Sequence, residues 1–387
     1  MKVNVIGAGI TGLMSAYFLA KKGHQVTVYE KEMHPAMQCS YANGGQISVC
    51  NSETWNNWPT VWKGVKWMFQ KDAPLLIGST VSYRKAAWLA GFLKHTLADT
   101  HIENTIKTVE LGLKSRELYK QVIKDEGLIF DQSAGGMMHV FTNTKDLAEA
   151  GNLKELFKAY GLDWELLTPK EVIKKDPAMD SFKNMTGGVF VKSDWSGDIH
   201  KFCYELTRVL REKYKVSFVF DQNIDDPRTL EGITVLANGH SIYDSAKVLG
   251  EFLNVYPVKG YSITINLNDD TSRWSCPVYP LLDNNVKIVT SRLGNRLRVA
   301  GTAELSDVNY DIRRDRVEPL LKWVHKNFPG INTHDYSSWA CLRPMSSNMM
   351  PIVRQAKGYD NIYYHGGHGH LGWTLAAATG NQLAELI

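Results

Sequence analysis

The 387-residue chain is longer than one typical domain and leaves room for two or three. Its apolar share of 44% and charged share of 22% are an ordinary globular mix, and a net charge of only +4 gives no reason to expect nucleic-acid binding, which needs a concentrated basic face. Five scattered cysteines with no CxxC pair exclude a zinc ribbon and a disulfide framework, and fit free thiols in a reducing, cytoplasmic compartment.

The chain opens with MKVNVIGAGITGLMSAYFLAKKGHQVTVYEKE, which reads as strand, turn, helix, strand. Glycines cut its apolar run, so it is not a secretory signal. No stretch approaches the 18 uninterrupted apolar residues of a membrane span. Gly7, Gly9 and Gly12 form GxGxxG, and Gly23 is a helix stop. Gly7 allows the tight turn, Gly9 lets backbone approach a pyrophosphate, and Gly12 lets helix and strand pack closely. With Ala8, Ile10 and Thr11 they place free N–H groups at a helix start. Glu30, 18 residues past Gly12 and followed by Lys31, is placed to accept hydrogen bonds from ribose hydroxyls and disfavours a 2′-phosphate. A second glycine-rich loop, SYANGGQIS at 40–48, brings Ser40, Asn43, Gly44, Gly45, Gln46 and Ile47 just beyond the second strand.

Five of the eleven tryptophans fall between Trp55 and Trp88, mixed with Lys63, Lys66, Lys71, Arg84 and Lys85. Such a stretch suits a membrane interface; the alternative is rings packed as lid and core over a substrate pocket. Residues 196–214 read as an amphipathic helix with Phe202, Leu206, Val209 and Leu210 on one face. Residues 216–224, ending at Ile224, and 232–239, ending in Ala237, Asn238 and Gly239, read as strands. Near the end stands HGGHGHLGWT, with His365, His368 and His370 inside six residues. No carboxylate or cysteine joins them locally, so the ligand count for a metal site is short, and none is expected. The stretch runs into an apolar helix, which puts N–H groups of Leu371, Gly372 and Trp373 at a helix N-terminus, with Thr374 next.

These features together with KWMFQKDAPL (66–75), PVKGYSITI (257–265), LRPM (342–345) and GGHGHLGWTLAAATG (366–380) resemble the D-amino-acid dehydrogenase branch of the amino-acid oxidase superfamily, nearly end to end. The resemblance implies an α/β chain with two parts. A Rossmann-type FAD-binding domain would use residues 1–50, 196–256 and 341–387. An α+β substrate domain with a mainly antiparallel sheet would use 51–195 and 257–340. It implies oxidation of a D-amino acid to a 2-oxo acid and ammonia, by hydride transfer from Cα to flavin N5. The electron acceptor would be a quinone, an electron-transfer chain or oxygen. By resemblance the Ile224 backbone meets the adenine side, and Gly367, His368, Gly369 and the helix start after it face the flavin ring. Arg343 would clamp the substrate carboxylate, since its planar fork suits bidentate binding. His370 either touches that carboxylate or is simply solvated. A peripheral contact of residues 55–88 with the inner face of the cytoplasmic membrane is the further partner expected.

Two departures stand out. Relatives continue LRPxTPDGxP, whereas this chain has LRPMSSNMMP, with Asn348-Met349 where the Asp-Gly turn belongs. Cys341 lies where some sarcosine oxidases link flavin covalently; a buried, inert thiol is expected here. Oxidation of a secondary amine, glycine or proline, and a non-catalytic flavin-holding subunit, remain the alternatives.

Overall fold

The computed structural model describes residues 1–67, 74–78, 80, 82–152 and 158–387. Residues 68–73 of the tryptophan-rich stretch lie outside the described residues, as does part of the KWMFQKDAPL motif.

A six-stranded sheet runs in the order Ile352–Gln355, Ile362–Gly366, Ile233–Leu236, Lys2–Ile6, Gln25–Tyr29, Ser217–Val219. All its pairings are parallel except that of the Ile352–Gln355 edge. Val3 and Val5 are fully buried, as central parallel strands require. The Ile10–Lys21 helix ends as expected at Gly23, whose φ of +85° is left-handed. It packs against the last helix, Gly372–Leu386, closely enough that a Cβ on Gly380 would meet the Met14 carbonyl carbon at 3.0 Å. The expected 196–214 helix is Ile199–Glu212, started by Asp198, whose carboxylate accepts from the His200 and Lys201 N–H groups. Phe202, Leu206, Val209 and Leu210 enter the same core.

The second sheet has nine strands and is mainly antiparallel. Its longest members, Val255–Asn266 and Tyr336–Ser346, pair along their whole length. The Arg314–Asn327 helix covers one face, burying Val317, Leu320 and Val324 against Ile263, Ile265 and Val299.

Three elements bear on the expected division of the chain. Val255–Asn266 and Tyr336–Ser346 run through the boundaries at 256/257 and 340/341, because each is one continuous strand of the second sheet. The His101–Glu126 helix, expected with the substrate part, packs its Tyr119 and Val122 into the core of the six-stranded sheet. The Tyr119 hydroxyl also donates to the Trp373 carbonyl at 2.8 Å. Residues 216–224 are strand only at Ser217–Val219.

Candidate active site

The turn after the first strand is built by what its glycines exclude. Gly7 has φ +105°, and a Cβ there would lie 2.6 Å from the Ala237 carbonyl oxygen. A Cβ on Gly12 would lie 1.8 Å from the Gly7 oxygen. Gly9 is different: the nearest protein atom to a Cβ there is the Ser40 hydroxyl, at 3.5 Å. Protein packing therefore demands Gly7 and Gly12, while Gly9 leaves room for something else. The Ala8 N–H donates to Glu30 Oε2 at 2.7 Å and the Glu32 N–H to Oε1 at 3.0 Å. Each carboxylate oxygen keeps a lone pair for a ligand. Burial raises the Glu30 pKa, opposed by those two N–H groups. The Ile10 N–H donates to the Ser40 hydroxyl at 3.0 Å, closing the turn onto the second loop.

A cleft opens beside this turn. It brings together Gly7, Gly9, Ile10, Thr11, Glu30, Lys31, Ser40, Ile224, Ala237, Asn238, Gly239, His368, Gly369 and Gly372 from the expected set. Asn238 Oδ1 and His368 Nδ1 are buried at this wall with no hydrogen-bond partner among the described residues. Open space at Gly9, a fixed acid at Glu30 and orphaned polar atoms along the wall fit a dinucleotide of the FAD type. Sequence reasoning missed Met37, Gln38, Cys39, Gln222, Asn223 and His240, which also line the cleft. Only their nearness to Ser40, Ile224 and Gly239 could have signalled them.

Other expected residues lie off this wall. Ala8 and Gly12 are inside the turn. Residues 43–47 hold the second loop against the nine-stranded sheet. Asn43 accepts from Arg298 Nη1 at 3.1 Å, Gly44 accepts from the Ser291 hydroxyl at 2.8 Å, and Gln46 Nε2 donates to the Leu281 and Thr290 carbonyls. A Cβ on Gly44 would strike Val289 Cγ2 at 2.7 Å, and Gly45 has φ +71°, so packing and backbone geometry explain both glycines. Ile47 pairs with Trp195. Gly367, with φ +74°, accepts from the Ser346 hydroxyl at 3.2 Å. Trp373 is core, and the Thr374 hydroxyl accepts from the Ser48 N–H at 3.4 Å. One expectation is corrected: the Leu371 N–H is not free, because it donates to the His368 carbonyl at 3.0 Å in the 3-10 turn Gly369–Leu371 that precedes the helix. Gly372 and Trp373 open the helix itself.

Two of the histidines share a partner, and the third stands apart. His365 bridges the Ser15 hydroxyl (2.6 Å) and the Thr379 hydroxyl (2.9 Å), and His368 Nε2 shares the same Thr379 hydroxyl at 2.9 Å. His370 stacks on Trp55 with ring centroids 4.4 Å apart. Burial pushes His368 down to about 4, and burial with the Arg343 charge pushes His370 down to about 3. All three stay neutral near pH 7.

Arg343 lies on the Tyr336–Ser346 strand, paired with Val258. Its guanidinium crosses Gly260 on the neighbouring strand, where a Cβ would sit 2.4 Å from Nη2. The altered LRPMSSNMMP segment is held from outside. Trp88 Nε1 donates to Met345 at 2.8 Å and Asn56 Nδ2 to Ser347 at 3.1 Å. Met349 takes the left-handed conformation, φ +63°, that glycine would favour, and buries its side chain beside Trp88 and Tyr256. Burial of a methionine is worth about 1.5–3 kcal/mol, enough to offset the roughly 1–2 kcal/mol cost of that conformation.

Comparison with known proteins agrees with this geometry. A protein of Mesorhizobium japonicum named D-amino acid dehydrogenase 3 is 41% identical, with 100% of this chain and 97% of that protein aligned. Glycine oxidase from Geobacillus kaustophilus superposes with a TM-score of 0.77 at 18% identity, over 99% of this chain and 94% of that one. L-proline dehydrogenase from P. horikoshii superposes at 0.71 and 15% identity, over 100% and 92%. These two likenesses establish the fold. Residues 2–386 match the DAO family, described as FAD dependent oxidoreductase, and the chain belongs to that family.

Proposed function

We propose that this protein oxidises D-amino acids to 2-oxo acids and ammonia. The observation that carries the reading is the Arg343 guanidinium laid across Gly260. A planar fork fixed on a strand suits a two-pronged contact with a carboxylate. The full-length likeness to D-amino acid dehydrogenase 3 supports D-amino acids as the substrate class. FAD, when bound, supplies the two-electron acceptor chemistry.

The chain's own residues supply binding and orientation. Gly9, Glu30, Ser40 and Asn238 hold the cofactor along the cleft. His368, Gly369 and the Gly372 helix start would border its ring, and residues 43–47 hold the second loop against the nine-stranded sheet. Arg343 holds the carboxylate and so aims Cα. His370, stacked on Trp55 and neutral, adds shape without a second full charge. Burial beside the Arg343 charge disfavours the substrate ammonium, which would release its proton to solvent on binding. No side-chain base is invoked. With an artificial dye as acceptor, D-alanine should give pyruvate and ammonia while L-alanine gives none. Turnover of L-alanine alone would reject the assignment of handedness.

Among the described residues no helix is long and apolar enough to cross a membrane. The Trp58–Trp67 helix supports a peripheral contact instead. It buries none of its residues, shows Trp58, Trp62 and Val65 to solvent at helical spacing, and carries exposed Lys63 and Lys66 with no acid. Such a face suits an anionic lipid surface. Trp55 and Trp88, in contrast, are lid and core. A membrane-held quinone is the acceptor this arrangement favours, with oxygen the alternative.

A further inference from the structure

Two hydroxyls and two histidines form one hydrogen-bonded chain behind the cleft. The Ser15 hydroxyl lies 2.6 Å from His365 Nδ1 and 3.0 Å from the Thr11 carbonyl. The Thr379 hydroxyl lies 2.9 Å from His365 Nε2, 2.9 Å from His368 Nε2 and 3.0 Å from the Leu375 carbonyl. Ser15, His365 and Thr379 are fully buried, and His368 nearly so. Of these four side chains His368 is the one that lines the cleft. Its backbone is fixed by a bridge to Met345 and by the Leu371 N–H on its carbonyl. With Nε2 turned back to Thr379, the ring's remaining polar atom is Nδ1, which is buried without a partner among the described residues.

Counting protons decides which nitrogen of His368 is bare. Each hydroxyl has one proton to give, each neutral imidazole has one N–H and one lone pair, and the carbonyls only accept. Burial keeps both rings neutral. In one arrangement Ser15 donates to His365 Nδ1, His365 Nε2–H and His368 Nε2–H both donate to Thr379, and Thr379 donates to Leu375. In a second, Ser15 donates to Thr11, His365 Nδ1–H to Ser15, Thr379 to His365 Nε2, and His368 Nε2–H to Thr379. Each makes four hydrogen bonds and leaves His368 Nδ1 as a bare acceptor. Moving the His368 proton to Nδ1 leaves at most three, because Nε2 can then only accept the Thr379 proton or go without. It also buries an N–H with nothing in the protein to receive it.

We propose that Ser15, His365 and Thr379 are positioning residues that lock His368 as the Nε2–H tautomer, and that its bare Nδ1 accepts a hydrogen bond from an O–H or N–H group of the bound FAD. This rests on the cofactor placement proposed above. It divides the cofactor's polar groups between two partners. Hydroxyls and ring N–H groups can donate to Nδ1, whereas the pyrophosphate only accepts and is left to the N–H groups at the start of the Ile10–Lys21 helix.

The test carries isotope-labelled histidine in the FAD-loaded protein and reads long-range proton–nitrogen correlations, with His368→Phe identifying the His368 signals among the twelve histidines. The expected spectrum shows Nδ1 as a bare nitrogen and Nε2 as N–H. FAD dissociation, read by flavin fluorescence on dilution, should be stronger by about 2- to 12-fold in Thr379→Val and in His368→Phe, the loss of one neutral hydrogen bond. The double variant should lose no more than either, since Thr379 acts through His368, and Thr379→Ser should hold FAD as the parent does. A protonated Nδ1 in the parent would overturn the proposal, whether or not the variants fold. So would unchanged FAD affinity in His368→Phe or Thr379→Val, or additive losses in the double variant. None of these readouts measures amino-acid turnover, so their failure would leave the oxidation reading standing.

Discussion

Gly9 and Gly12 carry the same side chain for different reasons, and this separates two kinds of loss. A Cβ at Gly12 has no room against the Gly7 oxygen, so Gly12→Ala should fail to fold or melt far lower. A small Cβ at Gly9 meets nothing in the protein closer than 3.5 Å, so Gly9→Ala should fold normally and bind FAD poorly, and Gly9→Val more poorly still. Absorbance at the flavin band against protein content checks both; full flavin occupancy in Gly9→Val would contradict the placement. Arg343 has a similar pair of tests. Arg343→Ala should cut kcat/KM by about 2–5 kcal/mol, roughly 30- to 5000-fold, for every D-amino acid tested and leave FAD content unchanged. Gly260→Ala should do the same more mildly, through KM, because its Cβ displaces the guanidinium without touching the backbone fold. The glycine motif was legible from its spacing, but Arg343 only through resemblance. Gly260 as its partner was not legible, because strand register is a property of the folded sheet.

The turn from His365 to Leu371 and the helix that follows act as one element, packed around the Thr379 hydroxyl. Sequence showed the helix start and argued against a metal, but it could not show that Leu371 spends its N–H on His368, nor that Trp55 supplies the ring beneath His370. The first depends on a 3-10 turn, the second on a contact between distant segments. The unbroken runs of Val255–Asn266 and Tyr336–Ser346 were not legible for a related reason: their pairing is a property of the folded sheet. The buried histidines give the element a pH signature. Their folded pKa values lie below the ordinary 6.5, about 4 for His368 and about 3 for His370, so the unfolded chain binds more protons between those limits. Their contribution is therefore fully present above about pH 6.5 and is lost as pH falls. His370→Phe keeps a ring on Trp55 and removes one such group. Between pH 6 and 4.5 its stability should fall less steeply than the parent's, by up to about 1.4 kcal/mol per pH unit. Denaturant titrations across that range decide it, and identical slopes would place a protonated His370 in the folded state.

At the scale of the whole molecule, the six-stranded sheet borders the cleft, the nine-stranded sheet carries Arg343, and the short Trp58–Trp67 helix points an apolar, basic face outward. Sequence composition had flagged residues 55–88 without dividing them. Burial divides them, since Trp88 faces the core while Trp62 is 67% exposed. If the helix meets lipid, the protein should sediment with vesicles containing anionic lipid and not with neutral ones, and Trp62→Glu should abolish this while FAD content holds. Co-sedimentation unaffected by Trp62→Glu would remove the helix from that role. The central claim concerns what is oxidised. The FAD-loaded protein, mixed without oxygen with D-alanine, L-alanine, sarcosine or L-proline, reports directly through the oxidised-flavin absorbance. The account predicts rapid bleaching by D-alanine and none by the other three; bleaching by sarcosine or L-proline but not by D-alanine would contradict it.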